Sequence, residues 1–130
     1  MGRTLVYVCA VIFFLYGLVF LFFPVPALQL VVQGEIGSSS GVTDIRATYG
    51  GMSIAIGIML YKMAANSETL RLGLWSVLIL MGCMAGARLL GMVIDGSPNV
   101  VMFCYLALEI LACILAVLRL QNLSNRAIDV

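Results

Sequence analysis

An all-α integral membrane four-helix bundle with both termini cytoplasmic is the fold class this sequence predicts, and three observations lead there. Only 10% of the 130 residues are charged while 63% are hydrophobic, against about a quarter charged in a soluble domain. The apolar residues fall into four runs long enough to cross a bilayer. The basic residues gather at one end of those runs. The chain reads as a single domain over residues 1–130, with a mean hydropathy of +1.14.

A crossing helix has to span a hydrocarbon core about 30 Å thick, which takes roughly 17 to 25 mostly apolar residues. The first run, residues 5–23, carries no charge and stops at Phe23-Pro24-Val25-Pro26, where two prolines disfavour further helix. It exceeds the roughly 7 to 15 apolar residues of a signal-peptide core, so it is read as a retained span. A long outer loop follows, residues 24–44. Its stretch 27–33 is too short to cross and is expected to lie at the membrane surface or to cap the bundle. Residues 37–41, with three consecutive serines, read as a flexible turn, and Thr43 or Asp44 as the N-cap of the next helix.

The second run covers residues 45–63 and is joined to the third, 72–94, by a short polar turn. Asp95-Gly96-Ser97-Pro98 ends the third with a strong turn signal. The fourth covers 99–120, so the third and fourth form an antiparallel hairpin. Strands find no support, because no run alternates apolar and polar residues and four strands cannot close a barrel. With both termini inside, Arg3, Lys62, Arg71, Arg119 and Arg126 are cytoplasmic and only Arg46 is outside, the bias that sets orientation in multi-pass proteins.

Seven basic residues against six acidic ones leave a net charge of +1, far from the basic footprint of a nucleic-acid binder. Nucleic acid is therefore excluded as a partner. The absence of histidine removes the commonest metal ligand and the side chain best suited to proton exchange near neutral pH. No catalytic and no metal-binding residue is assigned.

Within lipid the hydrophobic effect does not draw helices together, so small residues and hydrogen bonds must. Gly82 and Gly86, then Ala87 and Gly91, mark such a face on the third span. Gly50, Ser53 and Gly57 mark one on the second. Helix contact is the ordinary reading of both.

An ionised side chain at mid-membrane costs about 2.5 to 3.5 kcal/mol on insertion scales, so Arg88 and Glu109 stand out. Arg88 lies roughly 9 Å below the outer end of its helix and Glu109 roughly 15 Å below the same side, at 1.5 Å per residue. That difference is within reach of an arginine stem. Helical spacing puts Arg46 and Tyr49 with Gly50, Ser53 and Gly57; Arg88 with Gly91 and Asp95; and Glu109 with Tyr105, Ala112 and Cys113. The expected binding site is a polar centre of Arg46, Tyr49, Arg88 and Glu109 with Asp44 and Asp95 at its mouth, able to hold a lipid phosphate or a carboxylate. The plainer reading is a brace, in which Arg88 and Glu109 only lock two helices together.

Cys9, Cys83, Cys104 and Cys113 all fall within spans and form no Cys-x-x-Cys pair. The depths of Cys83 and Cys113 would allow a disulfide, but buried free cysteine acting as a small apolar residue is commoner. The methionines and the aromatics of the first span read as lipid-facing or core filler, and Trp75 as an interfacial anchor.

Asp44-Ile45-Arg46-Ala47-Thr48-Tyr49-Gly50-Gly51, Ala87-Arg88-Leu89-Leu90-Gly91 followed by Asp95-Gly96-Ser97-Pro98, and Glu109 occur in this order along the chain. In that ordered combination the sequence resembles the bacterial membrane-protein family called domain of unknown function 4345, of the DoxX-like group of small four-helix proteins. Asp44 stands where the family often has glutamate, and Thr43 where asparagine is common. The resemblance implies a four-helix bundle in a bacterial cytoplasmic membrane and supplies no reaction. Some DoxX-like relatives accompany quinone-linked or thiol-related redox systems.

Four spans with short connections leave almost no water-exposed domain for chemistry. The sequence therefore predicts a noncatalytic accessory or scaffold subunit of a larger membrane complex. Its expected partners are membrane lipids and other membrane-protein subunits or further copies of itself. No cofactor is required, although a bound lipid or quinone fits the polar centre. The alternatives are a carrier of a small anionic or lipophilic molecule, and a quinone-linked or thiol redox subunit.

Overall fold

The computed structural model describes residues 2–35, 37–96 and 98–128, and every regular element among them is helical. In chain order these are α1 (Gly2–Phe22), α2 (Pro24–Val32), α3 (Ser39–Ile45), a π-helical turn (Arg46–Gly51), α4 (Met52–Ala65), α5 (Leu70–Ile94) and α6 (Val100–Ile128).

Helix α1 ends where Phe23 leaves helical geometry, with φ −128° and ψ 54°. Pro24 then starts α2 at its first position, where a missing N–H costs nothing because that donor has no helical partner. The prolines break the first helix as expected and also found the short one that follows. Gln33 closes α2 in the left-handed region, donating its N–H to the Gln29 carbonyl.

The expected cap at Thr43 or Asp44 and the expected flexible turn at residues 37–41 are corrected by α3. Ser38 is the N-cap, its hydroxyl accepting the Gly41 N–H at 3.1 Å, so the helix begins within the serine run. A serine side chain satisfies an orphan donor of the first turn as well as threonine or aspartate does, and it comes first in the chain.

The second expected span is corrected more substantially. Between Ile45 and Met52 the ladder widens by one residue per turn, and the Met52 N–H reaches back to the Ala47 carbonyl. Two local features favour this. Thr43 and Thr48 donate their hydroxyls to the carbonyls four residues before them, at 3.1 and 2.7 Å, and such back-bonding bends helices. Gly50-Gly51 then offers weak helix propensity at the bend. The regular parts, 7 and 14 residues, are each shorter than a crossing helix. Among the described residues, three helices and not four are long and apolar enough to cross a membrane: Gly2–Phe22, Leu70–Ile94 and Val100–Ser124.

The chain divides into two compact units. In Val8–Lys62, α1 meets the helical run after Ile45 through glycines at backbone contact. A Cβ on Gly17 would lie 2.7 Å from the Gly50 carbonyl and the Ile54 nitrogen, and one on Gly57 would lie 2.8 Å from the Ala10 carbonyl and the Phe14 nitrogen. Ala10, Phe13, Phe20, Ser53 and Leu60 are buried here. The expected small-residue face of Gly50, Ser53 and Gly57 is thus a helix contact, and Gly17 is its unforeseen counterpart.

The other unit, Met1–Tyr7 with Met63–Val130, is built on α5 and α6. Asp95 ends α5 by donating its N–H to the Gly91 carbonyl, and Gly96 follows at φ +67°, the left-handed position that glycine occupies without strain. Ser97 of the expected turn lies outside the described residues. Asn99 then accepts the Met102 N–H on its side-chain oxygen at 3.0 Å and caps α6. Contacts between Leu78 and Cys113, and between Arg88 and Glu109, run in opposite senses along the two helices, so the pair is antiparallel. Leu74, Val77, Ala85, Ala116 and Leu120 are buried in this unit. The glycine face expected on the third span is not used there as predicted. Gly82 is at ordinary contact distance from the Cys113 sulfur, a Cβ on Gly86 would meet nothing within 4 Å, and Gly91 has only Asp95 of its own helix beside it.

Candidate functional site

An arginine two turns from the end of α5 faces a glutamate three turns into α6, because these helices are antiparallel and close together. Arg88 Nη2 donates to Glu109 Oε1 at 2.7 Å, and Nε donates to Oε2 at 3.1 Å and to Oε1 at 3.3 Å. One edge of the guanidinium, Nε and Nη2, thus engages both carboxylate oxygens, the geometry that makes Arg–carboxylate pairs strong and directional. The third nitrogen, Nη1, donates to the Met102 sulfur at 2.9 Å. The Tyr105 ring lies under the guanidinium, with its centroid 5.1 Å from Cζ, within range for cation–π attraction.

The pair is withdrawn from the surroundings: the Arg88 side chain is 17% exposed and that of Glu109 only 5%. Met102, Tyr105 and Glu109 recur at three- and four-residue spacing and so share one face of α6. That face continues through Cys113, whose thiol points at the Leu78 carbonyl of α5 at 3.8 Å. All four cysteines are free thiols, Cys9 buried and Cys83 and Cys104 exposed. A Cys83–Cys113 bridge is not formed, because Cys113 is turned toward Leu78 and Gly82.

Arg46 and Tyr49 belong to the Val8–Lys62 unit and have partners of their own there. The Arg46 guanidinium donates to the Leu21 carbonyl, one of the last carbonyls of α1, where a cation also complements the helix dipole. Tyr49 stacks on Phe20, centroids 5.3 Å apart at 28°, and Phe20 in turn meets Tyr16 at 4.7 Å. Both arginine and tyrosine sit on the π-helical turn, which places them against the end of α1. Asp44, with Ser39, Ser40, Thr43 and Ala47, lines an open groove of about 390 Å³ on α3. Asp95 is exposed at the C-cap of α5.

Of the six residues expected in the site, the structure joins Arg88 to Glu109. Leu21 and Phe20 are the partners it gives Arg46 and Tyr49. Sequence reasoning missed Met102, although it lies seven residues before Glu109 and therefore on the same face. It also missed Leu21, whose contribution is a backbone oxygen and carries no side-chain signal.

Chemically, the Arg88–Glu109 pair is electroneutral. Nε and Nη2 donate to the carboxylate and Nη1 to a thioether, with an aromatic ring under Cζ, an arrangement suited to holding two helices in register. No curated protein and no solved structure matches the chain. Residues 1–120 match the family described as Domain of unknown function (DUF4345), and with that coverage the chain belongs to it.

Proposed function

We propose that this protein is a noncatalytic accessory or scaffold subunit of a larger assembly in a bacterial cytoplasmic membrane, with Arg88 and Glu109 as an internal brace. Both termini are cytoplasmic in this reading, the helical run through the π-turn makes the fourth crossing, and the kinship extends to the DoxX-like group. The observation that carries it is the ion pair itself, in which both carboxylate oxygens and all three guanidinium nitrogens meet partners across the α5–α6 hairpin. A second support is the apolar surface offered to neighbours: Ile79, Leu90, Val93, Phe103, Leu108 and Ile114 are all exposed on α5 and α6. Mild extraction from cells at native expression should yield the chain together with at least one stoichiometric membrane subunit. Migration of the chain by itself at its own mass would end the proposal.

A second reading, a carrier of a small anionic or lipophilic molecule, gains from one observation, the irregular turn Arg46–Gly51 in the middle of a helical run. Interrupted helices are where transporters place their binding sites. That reading predicts uptake into reconstituted vesicles that Arg46→Gln abolishes. The accessory-subunit reading predicts no uptake by either protein.

A further inference from the structure

Two of the arginines are each fixed through one nitrogen and differ in what the rest of the guanidinium meets. In Arg88, Nη1 donates to the Met102 sulfur while the edge formed by Nε and Nη2 holds Glu109. In Arg46, Nη1 donates to the Leu21 carbonyl, and the corresponding Nε–Nη2 edge meets no acceptor among the described residues. Glu35 and Asp44, the acidic residues described in the Val8–Lys62 unit, are both exposed, and neither is paired with Arg46. Among the described residues, therefore, neither the charge of Arg46 nor its forked edge is answered.

Local structure sets the position of that edge. Arg46 opens the π-helical turn, and Tyr49, three residues on, stacks on Phe20. The turn is thus tied to two consecutive residues of α1, Phe20 and Leu21, which holds the guanidinium at the last turn of that helix. With 21 residues, α1 is about 31 Å long at 1.5 Å per residue, close to the roughly 30 Å of a hydrocarbon core. Leu21 is its penultimate residue, so a crossing α1 puts the Arg46 guanidinium where acyl chains give way to phosphates. Phe22 and Phe23, which follow, are 63% and 62% exposed and offer acyl chains an apolar surface at the same level.

We propose that Arg46 binds the phosphate of a membrane phospholipid, with Nε and Nη2 donating to two of its oxygens while Leu21 retains Nη1. A forked pair of donors meets two phosphate oxygens at once. Anchoring by Leu21 favours binding further, because less side-chain freedom remains to be lost when the ligand arrives. A carboxylate would fit the same edge, but phosphate is the anion that phospholipids present at this depth. The site belongs to the unit that lacks Arg88 and Glu109 and does not depend on their role.

Native mass spectrometry of the full chain tests the proposal, by titration in detergent micelles with phosphatidylglycerol or with diacylglycerol of the same acyl chains. Phosphatidylglycerol is expected to bind at least about fivefold more tightly, the scale of one basic residue at a membrane surface. Arg46→Gln should abolish that difference, while its amide can still donate to the Leu21 carbonyl and preserve the fold, which circular dichroism checks. Arg46→Lys should lose most of it as well, because an ammonium presents a point charge and not a fork. Lys62→Gln, in the last turn of α4, should leave the difference unchanged. Equal binding of the two lipids by the unaltered chain, or a full difference in Arg46→Gln or in Arg46→Lys, overturns the proposal. An equal loss in Lys62→Gln also overturns it, since net charge would then account for the effect. Removal of the difference by inorganic phosphate at matched ionic strength would reassign the edge to free phosphate and overturn the lipid.

Discussion

At the scale of single residues, the account turns on how two charges tolerate the interior of a membrane. Each costs about 2.5 to 3.5 kcal/mol there on insertion scales, while a pair at about 4 Å gains about 4 kcal/mol at an effective dielectric near 20. Arg88 and Glu109 improve on that simple pair through the forked geometry, the Met102 sulfur and the Tyr105 ring. Removing one partner leaves the other ionised without compensation, which in buried pairs costs about 3 to 5 kcal/mol. Arg46 follows a different logic. It is exposed, sits outside the regular helix and answers a backbone carbonyl at the end of α1.

At the scale of elements, glycine distinguishes two kinds of helix face. Gly17, Gly50 and Gly57 let α1 and the following helical run touch backbone to backbone, the closest approach available to helices in lipid. Gly86 on α5 has open space where its Cβ would be. Gly57→Ala should therefore destabilise the protein by about 1 to 3 kcal/mol through overpacking against a backbone that cannot yield. Gly86→Ala should be neutral or stabilising by up to about 1 kcal/mol through helix propensity alone. Unfolding in mixed micelles titrated with dodecyl sulfate and followed by circular dichroism compares the two, and equal losses would contradict this assignment of faces. The sequence pattern marked both glycine sets alike, because spacing reports which residues share a face and not what lies opposite.

At the scale of the whole molecule, helix positions were legible and the interruption of one was not. The ends of α1 and α5 and the start of α6 fall within three residues of those predicted, since proline, glycine and an asparagine cap act locally. Helix α6 runs past the apolar limit at residue 120, because helix continues after hydrophobicity ends. The π-turn escaped notice because its causes, two threonine hydroxyls and a glycine pair, are also compatible with a regular helix. The Arg88–Glu109 contact was legible because charge within an apolar run demands a partner at similar depth. The partners of Arg46 and Tyr49 were not, since a carbonyl and a phenyl ring leave no such trace.

Whether the run Ser39 to Ala65 crosses the membrane decides the topology, because α1 before it and α5 after it are both long and apolar enough to cross. On a cysteine-free background, Ser40→Cys should react with an impermeant maleimide from outside intact cells, and Asn66→Cys only after permeabilisation. Equal labelling of both from one side would remove the fourth crossing.

The most direct test of the central claim is a double-mutant cycle on the ion pair, read as unfolding free energy in mixed micelles. Arg88→Met and Glu109→Leu should each cost about 3 to 5 kcal/mol, and the double variant should recover most of that loss, since an apolar pair of similar volume replaces a buried ion pair at little net cost. A double variant destabilised by the sum of the two single losses would show that Arg88 and Glu109 act independently, and would contradict the brace.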